Sequence, residues 1–249
     1  MRFTLATLAL APLLFWQGRR VRREALRLPE AGGPRAGVAG EGPRLRLLVL
    51  GDSSAAGVGV ADQGEALAGR LVALLSVDHR VQWRLEAGTG DRLADLPGRI
   101  ERLEDEPFDV VVVAIGVNDA TGRTSTAAWR RGLRRLLADL DAHCGEPLVL
   151  VCAIPPMQAF PALPRPLAGW LGMAAARLNE ASRTLLSGEP RACLLPFEFE
   201  PDPRWMCEDG FHPSAAGYRR WAEAVAAAVR ERIAAASLPP DSHRGASSC

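Results

Sequence analysis

Residues 44–57 read Arg44-Leu45-Arg46-Leu47-Leu48-Val49-Leu50-Gly51-Asp52-Ser53-Ser54-Ala55-Ala56-Gly57. Leu45 to Leu50 is a short apolar run closed by a glycine, the pattern of a strand buried on both faces. A serine just past such a strand can sit exposed at the start of a helix. Its hydroxyl then needs a neighbouring base, because a free hydroxyl is a poor nucleophile. The same Gly-Asp-Ser triplet also makes an ordinary turn and cap, so the motif alone does not fix a chemistry.

Working outward, apolar runs alternate with helical patterns. Glu65 to Leu75 has helical spacing at Leu67, Leu71, Leu74 and Leu75. Val81 to Leu85 is a weaker strand, and Leu93 to Leu103 is predicted as one helix. Val110 to Ile115 is the clearest strand. Thr124 or Ser125 can cap the next helix, whose apolar face carries Trp129, Leu133, Leu136, Leu137 and Leu140. Leu148 to Ile154 is a strand stopped by Pro155 and Pro156, Trp170 to Leu186 is helical, and Ala192 to Leu195 is a short strand. Ser214 caps a last helix running to Ala236. This alternation predicts an α/β fold, a flavodoxin-like doubly wound sheet of about five parallel strands with helices on both faces. Sites in such sheets lie at the carboxyl ends of strands.

The ends read differently. Phe3 to Trp16 is an almost unbroken apolar run, followed by Arg19, Arg20, Arg22 and Arg23. The run is short for a bilayer span, which needs about 20 residues. The basic cluster after it favours retention of the C-terminal side in the cytoplasm over cleaved export. Residues 1–26 are therefore expected to be a membrane anchor, spanning or interfacial, held against anionic headgroups. A helix packed on the domain and an exported, periplasmic protein are the alternatives. Residues 27–44, rich in Gly, Pro and charge, are expected to be a flexible linker. The catalytic domain is placed at 45–236, and the polar tail 237–249 is expected to be disordered.

Two further motifs fall beside element boundaries. Gly116-Val117-Asn118-Asp119 follows the clearest strand, where an asparagine amide can be aimed at a developing oxyanion. An Asx turn is the plainer reading. Asp209-Gly210-Phe211-His212-Pro213 stands directly before the last helix. A carboxylate three residues before a histidine can reach its Nδ1–H from one loop, fixing the tautomer and stabilising the imidazolium.

The three motifs in this order resemble the GDSL/SGNH hydrolase family over residues 45 to 235. The stretch from Leu195-Pro196-Phe197 through Arg204-Trp205-Met206 to Pro213 is similar to the bacterial thioesterase/lysophospholipase branch. The resemblance implies Ser53 as nucleophile, His212 as base and Asp209 as its orienting carboxylate. It also implies an oxyanion hole built from the Ser53 N–H, the Asn118 amide and a glycine N–H after the second strand. Gly88 and Gly90 both stand in Ala87-Gly88-Thr89-Gly90-Asp91, and Gly90 aligns better. Two departures occur: Ser54 replaces the family's leucine, and Arg92 a usual threonine. The G-x-S-x-G elbow of α/β-hydrolases is absent. Met157, Phe160 and Leu163, in the Pro-rich segment after the fourth strand, are candidates for an acyl-pocket rim.

Composition bounds the rest. The chain has 249 residues, 48% of them hydrophobic, with a formal net charge of +1. That balance gives no electrostatic case for a nucleic-acid partner. Five cysteines (Cys144, Cys152, Cys193, Cys207 and Cys249) show no zinc-type spacing, and an odd count argues against a disulfide framework. No cofactor and no metal are expected, and the glycines near Gly57 lack the G-K-[ST] of a phosphate loop. The expected activity is hydrolysis of a small-molecule or lipid ester, including thioesters and lysophospholipids. Acyl transfer by the same triad and a silent membrane-anchored binding protein are the alternatives.

Overall fold

The structure is a computed structural model that describes residues 2–103, 106–197 and 202–236. The chain runs α1 (Arg2–Glu24), β1 (Ala36–Ala39), β2 (Arg44–Gly51), α2 (Leu67–Leu75), β3 (Arg80–Ala87), α3 (Pro97–Ile100), β4 (Val110–Ala114), α4 (Val117–Thr121), α5 (Thr126–Cys144), β5 (Leu148–Cys152), α6 (Leu167–Leu186), β6 (Ala192–Leu195) and α7 (Ala215–Ala236). One sheet takes all six strands in the order β1-β3-β2-β4-β5-β6. The five strands from β2 onward pair in parallel, in the flavodoxin-like order, with β2 between β3 and β4.

The period-2 alternation of the strands divides the core. Leu48, Leu50, Val111, Val113, Val149 and Val151 pack with Trp129 and Leu133 of α5 and Leu178 of α6. Leu47, Val49, Val110, Val112 and Leu150 pack on the other face with Leu67 and Leu71 of α2 and Val225 and Val229 of α7. Each such side chain contributes about 1.5–3 kcal/mol on burial, which is why apolar runs without a polar face mark the parallel strands.

The structure departs from the sequence reading at three places. Residues 27–44 are not a spacer without structure. They hold β1, which pairs antiparallel with β3 as a sixth strand, and Gly32 bridges Asp62. Gly37 lies against the indole of Trp83, where a Cβ would stand 3.2 Å from Nε1. Leu93 to Leu103 is not one helix. A 3-10 turn at Leu93–Asp95 is capped by the Asp95 carboxylate on the Arg92 N–H at 2.8 Å, and Pro97, lacking an N–H, restarts the helix. The segment Phe3 to Trp16 belongs to α1, which packs on α6. Gln17 Nε2 donates to the Arg165 carbonyl at 2.8 Å, and its Oε1 accepts from the Leu167 N–H at 3.1 Å. The Trp170 indole donates to Thr7 Oγ1 at 2.8 Å, and Leu14 is buried in the core. No helix among the described residues is long and apolar enough to cross a membrane. The helix carries an i, i+4, i+7, i+11 docking stripe of Leu10, Leu14, Gln17 and Val21 toward the domain. The expected tail, 237–249 with Cys249, lies outside the described residues.

Candidate active site

At the end of β2 a side chain at Gly51 would meet the Ala114 carbonyl at 2.2 Å, so glycine lets β2 and β4 close together there. The next residue, Asp52, is buried, and its Oδ1 accepts from the Ser54 N–H at 2.9 Å, which holds the turn that presents Ser53. The Ser53 carbonyl accepts from the Val58 N–H at 3.0 Å, closing the turn from the other side.

The second half of the site comes from the loop before α7. Asp202 caps a 3-10 turn at Pro203–Trp205, and Met206 bridges Pro213. Ser214 Oγ donates to the Arg204 carbonyl at 2.7 Å and accepts from the Gly217 N–H at 3.2 Å, so it caps α7 as its sequence position predicts. Tyr218 on the first turn of α7 donates to the Val58 carbonyl at 2.7 Å, tying the histidine side to the serine turn. Gly59 lies between them at φ +107, where a Cβ would stand 2.5 Å from the Pro213 carbonyl.

These supports bring Ser53, His212 and Asp209 together. His212 Nε2 is 2.8 Å from Ser53 Oγ, and its Nδ1 is 2.6 Å from Asp209 Oδ2. The other carboxylate oxygen, Asp209 Oδ1, accepts from the Phe211 N–H at 2.8 Å, the His212 N–H at 2.9 Å and the Cys207 thiol at 3.0 Å. Burial alone raises the Asp209 pKa, but these donors and the His212 ring outweigh it and hold the carboxyl well below its usual range. Asp52 goes the other way: burial pushes it up to about 6, against its bond from Ser54 and the pull of His212. Burial and then the bond to Asp209 push the Cys207 thiol up to about 11, so it stays protonated as a donor.

Asn118 is the second residue of α4, directly after β4, and its Nδ2 donates to the Asp91 carbonyl at 2.9 Å. That bond sets the amide beside the loop carrying Gly88 and Gly90. The Gly88 N–H already donates to the Gly51 carbonyl at 3.3 Å, whereas Gly90, at φ +91, has nothing within 4 Å of a Cβ position. Asp119 clamps neighbouring loops, accepting from the Leu93 N–H and from Thr124 Oγ1, each at 2.9 Å.

A cavity of about 800 Å³, counted to its open mouth, begins at Ser53 and is walled by Val117, Phe160, Phe197, Met206, Phe211 and Trp221. Of the three candidate rim residues only Phe160 lines it, packed edge-on against Phe211 with ring centres 5.2 Å apart. Met157 and Leu163 are instead buried in the core. The 3-10 turn Met157–Ala159 directs Met157 inward, while Ala159 and Phe160 face the cavity. Phe197, Trp205, Met206 and Trp221 were missed as wall residues; for the first three, large apolar residues set in a polar loop before the histidine were the available signal, while Trp221 comes from α7. Among the described residues, Cys144, Cys152, Cys193 and Cys207 are free thiols, and no His, Cys, Asp and Glu cluster is arranged to hold a metal ion.

Comparison with known proteins agrees with this architecture. The fold is similar to that of TesA, with a TM-score of 0.62 at 22% identity over 75% of this chain and 99% of that one. A family 2 carbohydrate esterase from Corynascus thermopiles, with its carbohydrate-binding domain, gives 0.59 at 16% identity over 83% and 69%. The esterase EstA from Pseudoalteromonas gives 0.55 at 15% identity over 76% and 98%. At these identities the likeness concerns the fold. None of the curated proteins matches the chain in sequence. The family model for the GDSL-like lipase/acylhydrolase family matches residues 49–220, more than half of the chain and spanning both the serine turn and the histidine loop, and the chain belongs to that family.

Proposed function

We propose that the chain hydrolyses carboxylic esters through an acyl-enzyme on Ser53. The observation that carries this reading is the unbroken line of hydrogen bonds from Asp209 through His212 to Ser53 Oγ, at 2.6 and 2.8 Å. Ser53 Oγ attacks the ester carbonyl as His212 Nε2 takes its proton, and the alkoxide leaves with that proton. Water then attacks the acyl-enzyme with His212 again as base, and Ser53 recovers its proton. Asp209, held ionised by its donors, fixes the proton on Nδ1 and stabilises the imidazolium.

The negative oxygen of the tetrahedral intermediate is assigned to the Ser53 N–H, the Asn118 amide and the Gly90 N–H. An amide nitrogen carries two protons, so Asn118 can keep its bond to Asp91 and still offer the second. Gly90 is preferred to Gly88 because the Gly88 N–H already has the Gly51 carbonyl as acceptor. The apolar wall of Phe160, Phe197, Met206 and Trp221 favours an acyl group with an aliphatic or aromatic tail over acetate. Lipid esters, lysophospholipids and thioesters of this kind are the proposed substrate class.

The test is turnover of p-nitrophenyl esters of increasing chain length by the wild-type chain and by Ser53→Ala. Expected are a preference for chains longer than acetyl, loss of turnover in Ser53→Ala, and labelling by a fluorophosphonate at Ser53 alone. Near-wild-type turnover by Ser53→Ala would remove the assignment of the nucleophile.

A further inference from the structure

The helix α1 has two faces, and only one is occupied by the protein. Leu10, Leu14, Gln17 and Val21 lie toward α6, with Leu14 and Gln17 buried. At 100° per residue the opposite face carries Phe15, Trp16, Arg19 and Arg23. Phe15 is 61% exposed, Trp16 57% and the adjoining Leu13 41%, three of the seven large apolar side chains that stand exposed among the described residues. The Arg19 guanidinium lies 5.8 Å over the Phe15 ring and that of Arg20 5.7 Å over Trp16. Arg22 and Arg23 complete a cluster of four arginines within five residues, with Glu24 the single acid beside them.

We infer that this outer face of α1 docks in the plane of an anionic lipid bilayer, with Leu13, Phe15 and Trp16 entering the headgroup boundary and the arginines meeting lipid phosphates. Aromatic rings next to a basic cluster on one helical face are the chemistry of an interfacial helix, and anionic headgroups complement the charge that the protein leaves uncompensated there. The chain as a whole has a formal net charge of only +1, so the attraction is local to this helix. An in-plane helix also fits the absence, among the described residues, of any helix able to span.

The position of α1 connects the docked surface to the cavity. Gln17 holds Arg165 and Leu167, the chain between Phe160 and Leu167 begins at the cavity wall, and the Ala162 N–H donates to the Gly210 carbonyl in the histidine loop at 3.1 Å. The helix is thus fastened to the same rim segment that lines the site. A lipid surface would present acyl esters at the protein that holds it, which agrees with the proposed substrate class without depending on it.

The test uses the full chain with phosphatidylcholine vesicles, with and without phosphatidylglycerol, read by co-sedimentation. Binding to the anionic vesicles is expected, with weak binding to the neutral ones and a loss as salt is raised. Phe15→Ser/Trp16→Ser and Arg19→Glu/Arg23→Glu should each weaken binding about tenfold or more while turnover of a soluble short-chain ester stays at the wild-type level. That turnover serves as the check on folding. Ser53→Ala should bind vesicles like the wild type, so a failure of the hydrolase reading leaves this one standing and the reverse. Equal binding to neutral and anionic vesicles, or wild-type binding by either double variant, overturns the inference. So does a concentration-dependent dimer lost in Phe15→Ser/Trp16→Ser without vesicle binding, which would assign the surface to a second copy.

Discussion

Asp52 and Asp209 are both carboxylates within one site, and their surroundings move them in opposite directions. Burial raises Asp52 to about 6, so the folded chain holds a proton that the unfolded chain, near 4, has already lost. Its contribution to stability is therefore present below about pH 4 and lost as pH rises through about 6, a cost near neutrality of about 3 kcal/mol. Asp52→Asn, which keeps an acceptor for the Ser54 N–H, should gain roughly 1–3 kcal/mol in urea unfolding at pH 7.5 and nothing at pH 4. An equal gain at both values would mean that the carboxyl does not titrate there. Asp209 has the reverse sign: its lowered pKa contributes stability above the unfolded value near 4, which is lost as the pH falls further. In Asp209→Asn the His212 tautomer is no longer fixed, and kcat should fall by about 10³–10⁴ with KM little changed. Asn118→Ala should lower kcat by about 10²–10³, whereas a change confined to KM would move the residue from the oxyanion to substrate binding.

Between elements, the segment after α1 matters to the site more than its composition implies. Glu30 Oε1 accepts from the Thr89 N–H at 2.7 Å and from Thr89 Oγ1 at 2.8 Å, and Arg35 donates to the Ala87 carbonyl at 2.9 Å. These bonds strap the loop that carries Gly90. Glu30→Ala should lower kcat about tenfold through misplacement of that loop, and shift Tm by roughly 2–4 °C. An unchanged kcat with a lowered Tm would leave Glu30 a purely structural role. A chain starting at Gly42 loses β1 and this strap together, so it should be less active and less stable than the full chain. The sequence did not disclose the strand because Ala36-Gly37-Val38-Ala39 has one β-branched residue, and its place comes from main-chain bonds to β3. Leu45 to Leu50 and Val110 to Ile115 were legible because burial on both faces demands apolar residues throughout. The grouping of Ser53, His212 and Asp209 was legible for a related reason: Asp209 and His212 share one loop, and Ser53 sits at a strand end. The cavity wall was not, since Phe197, Met206 and Trp221 converge only after the sheet and α7 are in place.

At the scale of the molecule, the sheet order sets the first parallel strand at the centre and brings the last helix back to it. α7 shares a core with α2, and Tyr218 closes on Val58 from 160 residues away. Urea unfolding followed by activity and by far-UV circular dichroism should give coincident transitions, because no part of the sheet completes the site without the final helix. A separate early loss of activity would show that the histidine loop opens by itself.

The separation of Ser53 and His212 by 159 residues has a consequence in time. A chain made at about 5–20 residues per second presents its serine roughly 8–32 s before its histidine exists. Through that interval the hydroxyl has no base and stays close to inert. On the proposed mechanism a polypeptide broken off anywhere in that stretch should leave surrounding esters intact, the order of the two residues along the chain acting as a delay on reactivity. Fluorophosphonate should accordingly leave chains ended at residue 205 unlabelled and label those that reach residue 236.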